Sequence, residues 1–117
     1  AEDNLVNQQV TIAMLEILGL EVDIANNGIE ACDLYQNSTY DMILMDIHMP
    51  GMDGLQAMAK IREMELQSDK HIPTAALTAN AMEGDKERFL AAGMDDYLSK
   101  PFKQAELKDL LGRWLAA

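Results

Sequence analysis

The chain has 117 residues, 49% of them hydrophobic, and its 9 Lys and Arg stand against 20 Asp and Glu for a formal net charge of -11. That length builds one domain with a real core and leaves little for a second. The acidic balance excludes a chain that grips nucleic acid or an anionic membrane by itself, since either needs clustered cations, and it suits binding of cations. A lone cysteine, Cys32, cannot form an internal disulfide, no apolar stretch approaches the ~20 residues that span a bilayer, and no secretory signal is evident, so a cytoplasmic setting is expected.

The chain opens on two adjacent carboxylates, Glu2 and Asp3, followed by Asn4 as a candidate cap. Val6, Val10, Ala13 and Ile17 then recur at helical spacing, which predicts a helix with Gly19 as its stop. "LEVDIA" alternates Leu20, Val22 and Ile24 and predicts a strand. "NNG" (Asn26 to Gly28) breaks it before a helix through Ala31, Cys32 and Tyr35, where Cys32 is expected as a buried small hydrophobe.

The continuous apolar run Met42 to Met45 suits a parallel strand covered on both faces, and it ends abruptly at Asp46. "HMPGMDG" is turn-rich, with Pro50 and Gly51 shaping the turn, Asp53 capping the next helix and Gly54 easing its entry. Leu55, Met58 and Ile61 mark that helix. A strand through Ile72 to Leu77, a helix with Phe89 and Leu90, and a short strand at Tyr97 and Leu98 follow. Leu107, Leu110, Leu111 and Trp114 form the apolar stripe of a last helix. His71 is expected in an exposed loop before Pro73.

Such alternation predicts an open, doubly wound α/β parallel sheet, whose sites lie at the carboxyl ends of its strands. Asp46, Thr78 and Lys100 lie at three such ends. Together they offer a carboxylate to react or ligate, a hydroxyl to bind an anion, and an ammonium to compensate charge.

Four segments in order, "EDN" at Glu2 to Asn4, "MDIHMPGMDG" at Met45 to Gly54, "LTA" at Leu77 to Ala79 and "YLSKPF" at Tyr97 to Phe102, resemble the receiver domain of two-component response regulators. "EDNLVNQ" and "AAGMDDYLSKP" are similar in particular to receivers of hybrid sensor histidine kinases. The resemblance implies a flavodoxin-like sheet of order 2-1-3-4-5, a single receiver domain over residues 1–117, and Mg²⁺-dependent transfer of a phosphoryl group to Asp46 from a phosphohistidine on a histidine kinase or histidine phosphotransfer domain. It further implies Mg²⁺ held by Glu2, Asp3, Asp46 and the backbone carbonyl of His48, phosphoryl contacts from Thr78 and Lys100, a switch formed by Thr78 and Tyr97, and a cis Lys100-Pro101 bond. The readout face would be the fourth helix, last strand and last helix within Met82 to Leu115. A homodimer is left open, and the parent would be a response regulator or a sensor kinase whose cytoplasmic part includes this chain.

The physical chemistry of these residues agrees with those roles. Crowded carboxylates repel unless a cation is present, Mg²⁺ prefers oxygen ligands, and an ionised Asp46 is then a nucleophile. A slow loss of the acyl phosphate to water at the same site is expected, without turnover of other substrates. A receiver-like interaction module without chemistry is disfavoured by the complete set Glu2, Asp3, Asp46, Thr78 and Lys100. A metal-dependent phosphatase of the haloacid-dehalogenase type would want a second Asp where His48 stands, and no glycine-rich nucleotide loop occurs. One feature departs from the family: its acidic pair follows a buried first strand, and only Ala1 precedes Glu2 here, so an N-terminally truncated sheet with a poorly anchored acidic pair is expected.

Overall fold

Leu44, Ala75, Leu77 and Leu98 alternate along three neighbouring strands with Met45, Ala76 and Tyr97, so each face of the sheet carries its own apolar set. The computed structural model describes residues 1–2, 4–47, 52–66, 71–78, 85–100 and 102–115. Its strands are β1 (Ile43–Asp46), β2 (Thr74–Thr78) and β3 (Asp96–Ser99), all parallel and in spatial order β1-β2-β3. The helices are α1 (Leu5–Ile17), α2 (Gly28–Asn37), α3 (Gly54–Glu65), α4 (Asp85–Ala91) and α5 (Gln104–Leu115).

One face of the sheet packs on α1 and α5, through Leu15, Leu107, Leu110 and Leu111. The other packs on α2, α3 and α4, through Ala31, Cys32, Ala57, Met58, Ile61 and Phe89. This is the doubly wound architecture expected, and the three strands are the 3-4-5 part of the anticipated order. Capping follows the sequence closely. Asn4 and Asn27 accept the Asn7 and Glu30 amides, and Asp53 forms a reciprocal capping box with Gln56. Past the end of α1, Gly19 adopts a φ of 81°, which a side chain would resist.

One expectation fails. The predicted strand at Leu20 to Ala25 is extended and keeps its alternation, with Glu21 and Asp23 exposed, yet it joins no ladder among the described residues. Among the described residues only Ala1 and Glu2 lie between this segment and β1: Ala1 donates to the Leu44 carbonyl at 2.5 Å and accepts from the Asp46 amide at 2.9 Å, while Glu2 donates to the Ala25 carbonyl at 3.0 Å. Those bonds set Ala1 opposite Met45 as in a parallel pair. Beside them lies a cavity of about 600 Å³ lined by Leu15, Leu20, Val22, Leu34, Leu44 and Leu111 among others.

The helix expected from the spacing at Val6 to Ile17 is α1, and Val6, Val10 and Ile17 on it are 66%, 49% and 77% exposed, with Ala13 exposed beside them. Its packed face is the opposite one, with Gln8 and Leu15 buried and Thr11 and Leu18 partly so. α1 therefore has two apolar stripes, and the sequence period alone cannot rank them.

At the end of the sheet away from the strand carboxyl termini, Arg62 of α3 donates to the Gly93 carbonyl through Nε at 3.0 Å and through Nη2 at 2.8 Å, and it pairs with Asp95 at 2.8 Å and Glu65 at 2.5 Å. Asp95 also accepts the Thr74 amide, and Glu65 the Ile72 amide. These contacts fix how β2 and β3 enter the sheet. His71 is exposed as expected, with its ring on Asp95 at 2.7 Å.

Gly54 marks the tightest approach near β1, because a β-carbon there would overlap the Asp46 backbone carbonyl. Gly54→Ala is expected to destabilise the fold by about 2–3 kcal/mol, since backbone on both sides cannot yield. Urea unfolding of the variant against the parent chain measures it.

Candidate functional site

Parallel strands end on one edge, and here that edge collects the polar residues the sequence singled out. Asp46 closes β1 and Thr78 closes β2, and they are only 5% and 2% exposed. Lys100 follows β3 by one residue, and its backbone amide continues the pairing by donating to the Thr78 carbonyl at 2.7 Å. In the ladder register Asp46 stands beside Leu77, and Leu77 beside Leu98. Counting in twos from Leu98 puts Lys100 on the same face of the sheet as Asp46, and the side chains meet there.

The Lys100 ammonium donates to Asp46 Oδ2 at 2.8 Å and to Glu2 Oε2 at 2.6 Å. Glu2 is itself held at every polar atom: its amide by Ala25, its carbonyl by Gln8 Nε2 at 2.6 Å, and Oε1 by the Asn4 amide at 3.1 Å. The expected poor anchoring of the acidic corner is thus overturned for Glu2, which is 7% exposed. Backbone pairing to Ala25 and the Gln8 side chain do what a longer strand would otherwise do.

Burial by itself pushes the Glu2 carboxyl up, and the hydrogen bonds from Lys100 and the Asn4 amide outweigh it, leaving the group below its ordinary range. Burial likewise pulls the Lys100 ammonium down, and the bonds to Asp46 and Glu2 more than restore it, so it stays charged with a raised pKa. The cluster is two carboxyl groups on one ammonium. Carboxylates near enough to share an ammonium are near enough to share a hard cation, and oxygen donors are what such a cation selects.

Asp3, His48 and the Lys100-Pro101 bond lie outside the described residues. Among the described residues no group of three or more His, Cys, Asp or Glu is gathered as a metal cluster. Tyr97 lies on β3, partly buried, with its ring 6.4 Å from that of Phe89 on α4 and tilted by 51°. It pairs with Ala76 and so shares a face with Thr78, two residues further along β2. At the start of β3 Asp96 accepts from Trp114 Nε1 at 2.9 Å and pairs with Arg113 at 3.4 Å, tying α5 to the strand. Sequence reasoning missed Gln8 and Asn26. The available signal was an amide seven residues before Leu15, on what proves to be the buried stripe of α1.

Comparison with known proteins places these features in context. The response regulator receiver domain family matches residues 1–112. Hybrid signal transduction histidine kinase I of Dictyostelium discoideum is 45% identical over 116 residues, covering 95% of this chain and 7% of that protein. Sensor protein GacS of Pseudomonas syringae pv. syringae is 40% identical over 114 residues, covering 97% of this chain and 13% of GacS. The chain therefore spans a small part of these relatives.

Among solved structures, the receiver domain of a sensor histidine kinase from Pseudomonas aeruginosa, with a magnesium ion coordinated in its active site cleft, is 48% identical. It superposes with a TM-score of 0.90 over 100% of this chain and 94% of that one. The receiver domain of the Saccharomyces cerevisiae response regulator Ssk1, crystallised with the histidine phosphotransfer protein Ypd1, is 30% identical, with a TM-score of 0.88 over 97% and 83% of the two chains.

The lowered pKa of Glu2 has a definite consequence for stability. A carboxyl whose folded pKa lies below its unfolded value contributes fully above the unfolded value, about 4.5, and loses that contribution as pH falls through the folded one. Urea midpoints followed from neutral pH down to about pH 3 should fall in this window for the parent chain. Glu2→Gln should be less stable at neutral pH and show a flatter acid limb.

Proposed function

The chain belongs to the receiver domain family of two-component response regulators, which act in phosphorelay signalling, and from that premise we propose that Asp46 is its phosphoacceptor. The observation that carries the reading is the Lys100 ammonium set on Asp46 at the carboxyl edge of the sheet, with Glu2 beside it. An Asp46 carboxylate oxygen attacks phosphorus, the bond from phosphorus to the histidine ring nitrogen breaks, and the electron pair leaves with that nitrogen. Alignment and neutralisation of the equatorial oxygens do most of the work in such a transfer, and Lys100 and Thr78 provide it from this chain.

Glu2, Asp3, Asp46 and the His48 carbonyl are the groups that would hold Mg²⁺. When bound, the ion supplies positive charge against the phosphoryl oxygens and leaves Asp46 ionised. The chain's own residues keep the carboxylates pointed inward: Lys100 between them, and Asn4 and Gln8 on Glu2. Loss of the acyl phosphate to water is slow and makes the domain a timer rather than a turnover enzyme. Thr78 and Tyr97, on one face of adjoining strands, form the switch, and phosphorylation draws Thr78 toward the new anion while Tyr97 turns inward. The face within Met82 to Leu115 carries the signal to a downstream partner on the cytoplasmic side.

The outer stripe of α1 favours a docking place for the phosphohistidine-bearing partner. Val6, Val10, Ala13 and Ile17 step by four, three and four residues, the spacing that seats a second helix, and Glu16 is the helix's only charged residue in a chain of net charge -11. The stripe begins one turn from Asn4 and Glu2, so a partner lying on it reaches Asp46.

Incubation with acetyl phosphate and Mg²⁺ should add one acid-labile phosphoryl group at Asp46 by mass spectrometry, and none in Asp46→Asn; labelling at another residue refutes the assignment. Lys100→Ala should fold and be labelled about a hundredfold more slowly. Val6→Asp with Val10→Asp should slow transfer from a phosphorylated histidine phosphotransfer protein while leaving labelling by acetyl phosphate unchanged. Equal slowing of both reactions would remove α1 from the docking surface.

A further inference from the structure

Gln8 is a polar side chain 6% exposed, on the packed stripe of α1 where an apolar residue would be ordinary. Its amide nitrogen donates to two acceptors, the Glu2 carbonyl at 2.6 Å and Asn26 Oδ1 at 2.8 Å. Asn26 in turn donates from Nδ2 to Glu30 Oε1 at 3.0 Å. Chemistry fixes every orientation in this relay. A carboxylate only accepts, so Asn26 must turn its amino group to Glu30 and its oxygen to Gln8; a carbonyl also only accepts, so Gln8 must present its amino group to Glu2. The two donor hydrogens of one amide are both committed.

We propose that Gln8 is a positioning residue for the cation side of the site, a reading that rests on the phosphoacceptor function above. It ties the backbone at Glu2 to Asn26 and, through Glu30, to the first turn of α2. The Glu2 carboxylate is thereby held at the edge where Asp46 ends its strand. Groups that hold ligands rather than bind the metal themselves commonly matter this way, because a hard cation tolerates little error in ligand placement. Both Gln8 donor hydrogens are committed to Glu2 and Asn26, so its effect falls on affinity and not on the reaction once the site is filled.

Calorimetric titration with Mg²⁺, paired with acetyl phosphate labelling across Mg²⁺ concentrations, tests this. Gln8→Met, which keeps length and removes both donors, should bind Mg²⁺ about tenfold more weakly than the parent chain, with the labelling rate at saturating Mg²⁺ unchanged. Gln9→Met, at the exposed neighbouring position, should match the parent. If circular dichroism shows Gln8→Met unfolded, the exposed Asn26→Ala decides, with an expected loss of about threefold from removing one of the two acceptors. Parent-like Mg²⁺ affinity in the deciding variant, or a lowered plateau rate at saturating Mg²⁺, overturns the positioning role and leaves the phosphoacceptor reading standing. No Mg²⁺ binding by the parent chain overturns that reading instead.

Discussion

A single ammonium, that of Lys100, joins the two ends of this chain: it reaches Glu2, 98 residues away in sequence, and Asp46, 54 away. Both carboxylates are close to fully buried. Buried charges are tolerated when paired and hydrogen-bonded, and the ammonium serves both carboxylates at once. The strands themselves are placed by their ladders, and this contact joins their carboxyl edge to the opening residues. The ammonium compensates charge on both carboxylates at hydrogen-bond distance.

That contact exists because parallel strands bring distant residues to one edge. β1 ends at Asp46, β2 carries its ladder to Thr78, and the Lys100 amide extends β3 by one more bond to the Thr78 carbonyl. The far end of the sheet is set by different chemistry. Arg62 spends its donors on Gly93, Asp95 and Glu65, and the two carboxylates take up the Thr74 and Ile72 amides where β2 begins. Each end thus has a cation at its centre, and the apolar layers between need supply only bulk.

Much of this was legible in the sequence, for reasons that particular residues make clear. The run at Met42 to Met45 and the stripe Leu107, Leu110 and Leu111 each allow one reading, since a fully apolar strand must be covered and an amphipathic helix has one face to bury. Asp53 announced its cap by the Gln three positions on. The segment at Leu20 to Ala25 misled because alternation records which side chains face inward, whereas a strand also requires a neighbour to accept its amides. At α1 the spacing marked the helix without saying which face it buries. Its outer stripe, Val6, Val10, Ala13 and Ile17, is more apolar than its inner one, which includes Gln8 and Thr11.

The inversion on α1 follows from the polar inner face. An amide at position 8 costs stability if buried without partners, and it is tolerated here because the Glu2 carbonyl and Asn26 both need donors. The helix is thereby oriented by hydrogen bonding at its first turns and by Leu15 near its end, and the outer valines are left facing solvent. A helix oriented solely by hydrophobicity would turn those valines inward and carry Gln8 away from Glu2. The less apolar face stays inside because its amide answers acceptors at Glu2 and Asn26 that no valine could satisfy, and the more apolar face faces outward as a result.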